Sequence, residues 1–386
     1  MATLNIRNFL GFTGTLLIFS VLVPLRSEAQ KARKVNRYFH HAFGSINAHT
    51  GICIFNPANG KYVYRLHAGQ YFTPASNTKL YSLYAGLSFL GDSTTGIRYK
   101  ISGDTLYIQG TGDPSLLHPD YPAQPVLHFL QGWGKKIVFT NPVYLNKVFG
   151  PGWAWDDYSE DYQPERSAMP LYGNTVWCDS KAGRLQMMPF YFQKNGAIVA
   201  DSIVPSHSFR IQREQFDNIF HYNPGPASGV SEIVQSPFRT EGGKITAALL
   251  EDTLHRDIIY NAVPVNWKDA AQIKNIPVDS LYQHMMYRSD NFFAEQVLQM
   301  CSAQLFDTIS TAKMIRYMLD TKLKDLPDKP GWVDGSGLSR YNLFSPRDMV
   351  FVLTKLYREF PKERLYNILP TGGKGTLKHL YHNASG

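Results

Sequence analysis

Between positions 45 and 72 apolar and polar residues alternate with a period of two. Ile46, Ala48, Ile52 and Ile54 fall on one run, and Tyr62, Tyr64 and Leu66 on another, which predicts a pair of strands. Asn59-Gly60 lies between them, and because both residues tolerate positive φ the pair reads as a two-residue hairpin turn. Pro74 ends the extended run. From Ala75 to Leu87 the apolar positions recur at helical spacing, so Ser76 falls at or beside a helix start.

The pattern then changes twice. Across 96–265 short alternating runs, such as Tyr99-Lys100-Ile101-Ser102, Leu106-Tyr107-Ile108-Gln109 and Ile137-Val138-Phe139, are split by Gly, Pro, Asp and Asn clusters; this predicts a mostly-β segment. From about Asp279 the helical period returns, over Leu281 to Ser302, Thr311 to Leu323 and Ser345 to Phe360. The order predicts an α+β chain: one helix-and-sheet domain in two parts, 30–95 and 266–386, interrupted by a β-rich insertion over 96–265.

The first residues carry a different signal. Arg7 opens a basic region, an apolar stretch runs from Leu10 to Val23, Pro24 breaks it, and Ser27-Glu28-Ala29 offers small residues at a cleavage point. That is the pattern of a secretory signal peptide cleaved after Ala29, shorter than the ~20 residues of a membrane span. No later segment is apolar for long enough to cross a bilayer, so the mature chain is expected to be exported, periplasmic or extracytoplasmic, without a membrane span.

Composition adds little beyond this frame. The 386 residues are 44% hydrophobic and 18% charged, and the net charge of +8 is spread without any Lys/Arg run. That favours a globular chain meeting anionic envelope polymers, with no nucleic-acid partner. The three cysteines, Cys53, Cys178 and Cys301, are isolated; they read as small buried hydrophobes, neither a disulfide framework nor a zinc site. The twelve histidines show no ligand spacing beyond His379-x-x-His382; no metal and no cofactor are expected.

Chemistry concentrates in two places. A serine hydroxyl needs a base within hydrogen-bond reach, and Ser76 and Lys79, three apart on one helical face, provide such a pair. A lysine desolvated in a cleft gives up its proton more readily. Ser310 and Lys313 repeat the spacing, but lack a preceding strand hairpin and read as a helix N-cap with a solvated lysine. The second place is Ser289-Asp290-Asn291: a hydroxyl able to relay a proton and a carboxamide able to hold a substrate amide, ahead of a helix. Ser45-Ile46-Asn47 matches the same Ser-x-Asn pattern, which alone is uninformative.

Ser-x-x-Lys followed by Ser-Asp-Asn is the signature of penicillin-binding enzymes and class A β-lactamases. The stretches Phe72 to Lys79, Gly110-Thr111-Gly112-Asp113-Pro114, Gly152 to Asp157, Ser289-Asp290-Asn291 and Asp334 to Arg340 together resemble the D-alanyl-D-alanine carboxypeptidase/endopeptidase family, a low-molecular-mass class of penicillin-binding protein. The resemblance runs from about Phe43 to the end of the sequence. It implies a penicillin-binding/β-lactamase-like transpeptidase domain, an antiparallel sheet flanked by helices, with the insertion as an extra domain that contributes no catalytic residue. It implies peptidoglycan stem peptides and β-lactams as partners. Ser76 would be the acylated nucleophile, Lys79 its base, Ser289 and Asn291 the opposite wall, and Asp290 a substrate-binding neighbour. Asp334 to Arg340 would be a Gly-rich loop near the cleft with a structural role.

The family also carries Lys-[Ser/Thr]-Gly on the strand bordering the site, and this sequence has none. Lys374-Gly375-Thr376-Leu377 has the letters in another order, and His49-Thr50-Gly51 precedes the nucleophile. The sequence-based expectation is a chain truncated before that motif. An inactive cell-wall-binding module and a hydrolase of β-lactams or esters are the competing functions.

Overall fold

The computed structural model describes residues 33–39, 41, 48–181, 184–201, 209–223, 232–264, 267 and 269–380. The signal peptide expected over 1–29, the Ser45-Ile46-Asn47 match and His382 lie outside the described residues.

Strands β1 (Ile52–Asn56) and β2 (Lys61–Leu66) pair antiparallel, from Ile52 opposite Leu66 to Asn56 opposite Lys61. Their turn is four residues long, Pro57 to Gly60, where the sequence suggests a two-residue Asn59-Gly60 turn. Pro57 has no N–H to continue the ladder, and the Asn56 side chain closes the loop instead by accepting from the Ala58 amide at 2.9 Å. After the hairpin, a 3-10 turn over Ala75–Thr78 leads directly into helix α1 (Lys79–Phe89).

The middle of the chain is built on a five-stranded mixed sheet of β3 (Ser93–Ser102), β4 (Thr105–Gly110), β5 (Lys136–Thr140), β13 (Ile258–Asn261) and β14 (Ala271–Pro277), in the order β13-β5-β4-β3-β14. The β4–β5 and β5–β13 pairs are parallel. A parallel pair needs a crossover, and helix α2 (Pro125–Gly132) supplies it between β4 and β5. Helix α3 (Lys244–Leu254) precedes β13. Short strands fill the interval, β6 (Val143–Tyr144), β7 (Thr175–Lys181), β8 (Arg184–Met188), β9 (Ile198–Ala200), β10 (Arg210–Arg213), β11 (Phe220–Asn223) and β12 (Glu232–Pro237), with β12-β7-β8 and β10-β11-β9 as three-stranded sheets. The chain then turns helical: α4 (Val278–Tyr287), α5 (Asn291–Phe306), α6 (Thr311–Asp320), α7 (Pro346–Glu359) and α8 (Lys362–Ile368).

Two apolar cores result. One gathers Tyr81, Leu83, Leu281, Phe293, Val297 and Val352 from the helices. The other gathers Ile97, Ile108, Phe139, Val176, Phe220 and Leu250 around the sheets. Helices α1 and α5 are buried on all sides over most of their length, Tyr81–Leu87 and Phe292–Ala303, as expected of helices at the centre of a core. They pack on each other, and Tyr282 of α4 presses against Gly86 of α1 so closely that a Cβ there would lie 2.7 Å from the ring. The N-terminal ends of these two locked helices carry Lys79 and Asn291.

No helix among the described residues is long and apolar enough to cross a membrane. All three cysteines are free, Cys178 and Cys301 buried and Cys53 half-buried.

Candidate active site

The segment that presents Ser76 is fixed from both sides. Phe72 exchanges two backbone hydrogen bonds with Phe344, at 2.9 and 3.0 Å, tying it to the loop ahead of α7. Pro74 and Ala75 then reverse the chain, Ala75 at φ 47°. Such left-handed backbone at a residue with a Cβ is strained and survives only where the surroundings impose it. The result is an exposed Ser76 directly above a buried Lys79.

Lys79 is 1% exposed, and its Nζ donates to Ser76 Oγ at 2.9 Å, Asn291 Oδ1 at 2.6 Å and the Ser336 carbonyl at 3.0 Å. An ammonium has three protons, and all three are used. A neutral amine fits equally well: two N–H groups stay on Asn291 and Ser336, and the lone pair faces the Ser76 hydroxyl. Burial pulls the Lys79 pKa down from 10.5 to about 8, against the charges of Asp290, Glu295 and Asp334, so the neutral form is accessible near physiological pH.

The helix predicted over Leu281 to Ser302 is broken at the second motif. Helix α4 ends at Tyr287, Ser289 takes φ 56°, and α5 begins at Asn291. Asp290 is the N-cap: Oδ1 accepts from the Phe293 amide at 2.8 Å, and Oδ2 lies 3.1 Å from His284 Nε2. Burial acts to raise its pKa, but the His284 bond and charge and the Phe293 amide outweigh it and hold the carboxyl below its usual value. Both oxygens of Asp290 are thus engaged away from Lys79, and its geometry is that of a helix cap. Asn291 turns its oxygen to Lys79 and donates Nδ2 to the Tyr162 carbonyl at 3.0 Å. Ser289 is half-buried; among the described residues no hydrogen bond links it to Ser76 or Lys79.

The third wall is the loop Asp334 to Arg340. Its Ser336 carbonyl reaches Lys79 because Glu295, fully buried in α5, accepts from Gly335 N at 2.8 Å, Ser336 N at 2.9 Å and Ser336 Oγ at 2.8 Å through one oxygen. The other oxygen accepts from Arg166 Nη1 at 3.1 Å. Burial, with Asp334 adding, raises the Glu295 pKa, while Arg166 and Ser336 oppose the rise. Gly337 (φ 90°) crosses the nucleophile turn so tightly that a Cβ would lie 1.9 Å from the Ala75 carbonyl. Asp334 holds the loop's far side, accepting from Gly337 N, Asn342 Nδ2, Ser339 N and Trp153 Nε1.

The sequence signals Ser76, Lys79 and Asn291 are therefore brought together. Ser336 completes the arrangement from the Gly-rich stretch Asp334 to Arg340, while Glu295, Arg166 and Tyr162 do so without any local signature, since each acts through a partner distant in the chain. Ser310 is the N-cap of α6, accepting from the Lys313 amide at 3.3 Å, while Lys313 Nζ sits 4.4 Å over the Phe306 ring; that pair forms no nucleophile–base contact. Gly375–Leu377 forms a 3-10 turn, with Gly375 packed against the Tyr287 carbonyl.

The sequence profile of the family described as D-Ala-D-Ala carboxypeptidase 3 (S13) matches residues 33–385. Among solved structures, penicillin binding protein 4 (dacB) from Haemophilus influenzae is similar with a TM-score of 0.64 at 18% identity, over 85% of this chain and 80% of that one. A second structure of that protein, complexed with a novel β-lactam, gives a TM-score of 0.60 at 18% identity, over 85% and 79%. At that identity the likeness establishes the fold. No curated protein matches.

Proposed function

Since the chain belongs to the D-Ala-D-Ala carboxypeptidase S13 family, we propose that it is a serine-type, penicillin-binding carboxypeptidase or endopeptidase of peptidoglycan stem peptides, working through an acyl-enzyme on Ser76. The observation that carries the proposal is the buried Lys79 amine, within 2.9 Å of the exposed Ser76 hydroxyl and held by Asn291 and Ser336.

Neutral Lys79 takes the proton from Ser76 Oγ as the oxygen attacks the carbonyl of the penultimate D-Ala. Its two remaining N–H groups stay on Asn291 Oδ1 and the Ser336 carbonyl, so the base keeps its position through the step. Ser76 N–H lies in the first turn of the 3-10 segment, where amides have no partner inside the helix, and serves as an oxyanion donor. Collapse of the tetrahedral adduct breaks the C–N bond. The leaving amine takes a proton from the Lys79 ammonium, with Ser289 as a relay at the rim. Water then attacks the ester, Lys79 accepts its proton, and Ser76 Oγ departs and is reprotonated. The reaction needs no metal or cofactor. Export to the compartment that holds peptidoglycan, expected from residues 1–29, belongs to the same proposal.

The competing reading is a cell-wall-binding member of the family with impaired turnover. A peptide ending in D-Ala-D-Ala separates the two. Release of D-alanine that is lost in Ser76→Ala supports the enzyme. Binding of the peptide with no release supports the second reading, and neither binding nor release defeats both.

A further inference from the structure

Outside the acyl-transfer machinery, the loop after β4 and helix α4 bring together three side chains with metal-ligand chemistry. One ligand atom from each of His118, Asp120 and His284 lies within 4.8 Å of the others. The Asp120 Oδ2 atom is 3.4 Å from His284 Nδ1 and 3.7 Å from His118 Nδ1. With metal–ligand bonds of about 2.0–2.1 Å, a tetrahedral site has ligand–ligand edges of roughly 3.3–3.4 Å, so the two spacings from Asp120 Oδ2 are already near such an edge. His118 and His284 are 5% and 9% exposed. Their rings are held edge to face at 5.2 Å, and His284 is stacked on Phe293 at 4.0 Å, so neither ring is free to reorient.

The surroundings point the same way. His284 Nε2 lies 3.1 Å from Asp290 Oδ2. A proton on Nε2 donated to that carboxylate leaves the Nδ1 lone pair facing Asp120, an acceptor facing an acceptor. The same carboxylate–histidine arrangement orients imidazoles that bind metals. Asp120 and His284 also line a cleft of about 410 Å³, which gives an ion a way in. We propose that His118, Asp120 and His284 form a divalent transition-metal site, suited by its nitrogen and carboxylate donors to Zn²⁺, with the fourth coordination position open to the cleft.

Two contacts compete with the ion. Arg288 Nη1 sits 2.7 Å from Asp120 Oδ2, but its side chain is 53% exposed and free to swing into solvent. The Asp120 amide donates to His118 Nδ1 at 3.2 Å, a long bond that yields readily. The alternative occupant of the cluster is Arg288 itself, as a plain ion pair. A bound metal would tie the loop after β4 to the turn that holds Ser289 and Asn291, through His284 and Asp290.

The test is titration of the whole chain with Co²⁺, read by the visible absorption of tetrahedral cobalt, followed by Zn²⁺ competition. The expected result is one metal per chain, with affinity tightened in Arg288→Met. Asp120→Asn and His118→Gln should weaken binding by more than the ~10–100-fold that loss of an outer partner costs. A wild-type chain with no tetrahedral cobalt spectrum would overturn the site. So would folded Asp120→Asn and His118→Gln variants that bind as tightly as wild type. Arg288→Met, altered at an exposed position, keeps the test open should those variants misfold: unchanged or weaker affinity there counts against the site.

Discussion

Lys79 Nζ lies 2.6 Å from Asn291 Oδ1, nearer than the 2.9 Å that separates it from Ser76 Oγ. The two residues start adjacent buried helices, so the packing of α1 on α5 sets the position of the base. Asn291 holds the amine from one side and Ser336 from the other; of the three partners Ser76 is exposed, Asn291 half-buried and Ser336 buried.

Acylation of Ser76 should depend on pH through Lys79. Lys79 must be neutral to act, and its pKa is brought down to about 8 by burial. Penicillin acylation should therefore rise ~tenfold per pH unit on the acid side, where the neutral fraction is small, and level off above about 8. Stopped-flow acylation rates check this, and Lys79→Met should lose ~100–10,000-fold with no such limb.

The same shift predicts a stability profile. Between about 8 and 10.5 the unfolded chain holds a proton on Lys79 that the folded chain has released, and stability rises with pH wherever the unfolded state binds more protons. The destabilisation is fully present below about 8 and is relieved as pH climbs through that window. Denaturant midpoints of wild type minus Lys79→Met should rise across it, whatever the offset between the two proteins.

Asn291→Asp places a carboxylate 2.6 Å from Nζ without changing the shape of the side chain. An adjacent negative charge favours the ammonium, so the acylation limb should move to higher pH. A profile that stays put would mean that Asn291 does not set the base.

Glu295→Gln tests the support beneath Ser336. It leaves the buried Arg166, 3% exposed, facing a neutral group. Removing one partner of a buried pair costs about 3–5 kcal/mol, and thermal unfolding should report a loss of that order along with slower acylation.

Gly337→Ala should be more damaging to activity than its size suggests. An alanine at φ 90° is strained, by more than about 1 kcal/mol, and its Cβ would meet the Ala75 carbonyl at 1.9 Å. The nucleophile turn has to move. Acylation should fall sharply while the far-UV circular dichroism stays native.

The proximity of Ser76 and Lys79 was legible because it is local: a proline-ended strand, a tight turn and a three-residue spacing. Asn291 was legible through the pattern Ser-Asp-Asn ahead of an apolar helix, although the chain break there depends on the left-handed Ser289, which no periodicity records. Glu295 was not legible. It sits within a helix buried on all sides, and its partners Ser336 and Arg166 are 41 and 129 residues away. Helices α2 and α3 were hidden inside a stretch whose dense Gly, Pro and Asn read as strand punctuation. Asp290 looked available for substrate, but a carboxylate just ahead of a helix start is also the preferred N-cap, and that is the role its contacts show. The meeting of His118 with His284 follows from tertiary packing alone.

Acylation of Ser76 is read by peptide mapping with mass spectrometry after incubation of the folded chain with benzylpenicillin. One penicilloyl adduct is expected, on the peptide that contains Ser76, absent in Ser76→Ala. An adduct on the Ser310 peptide, or one that persists in Ser76→Ala, would contradict it.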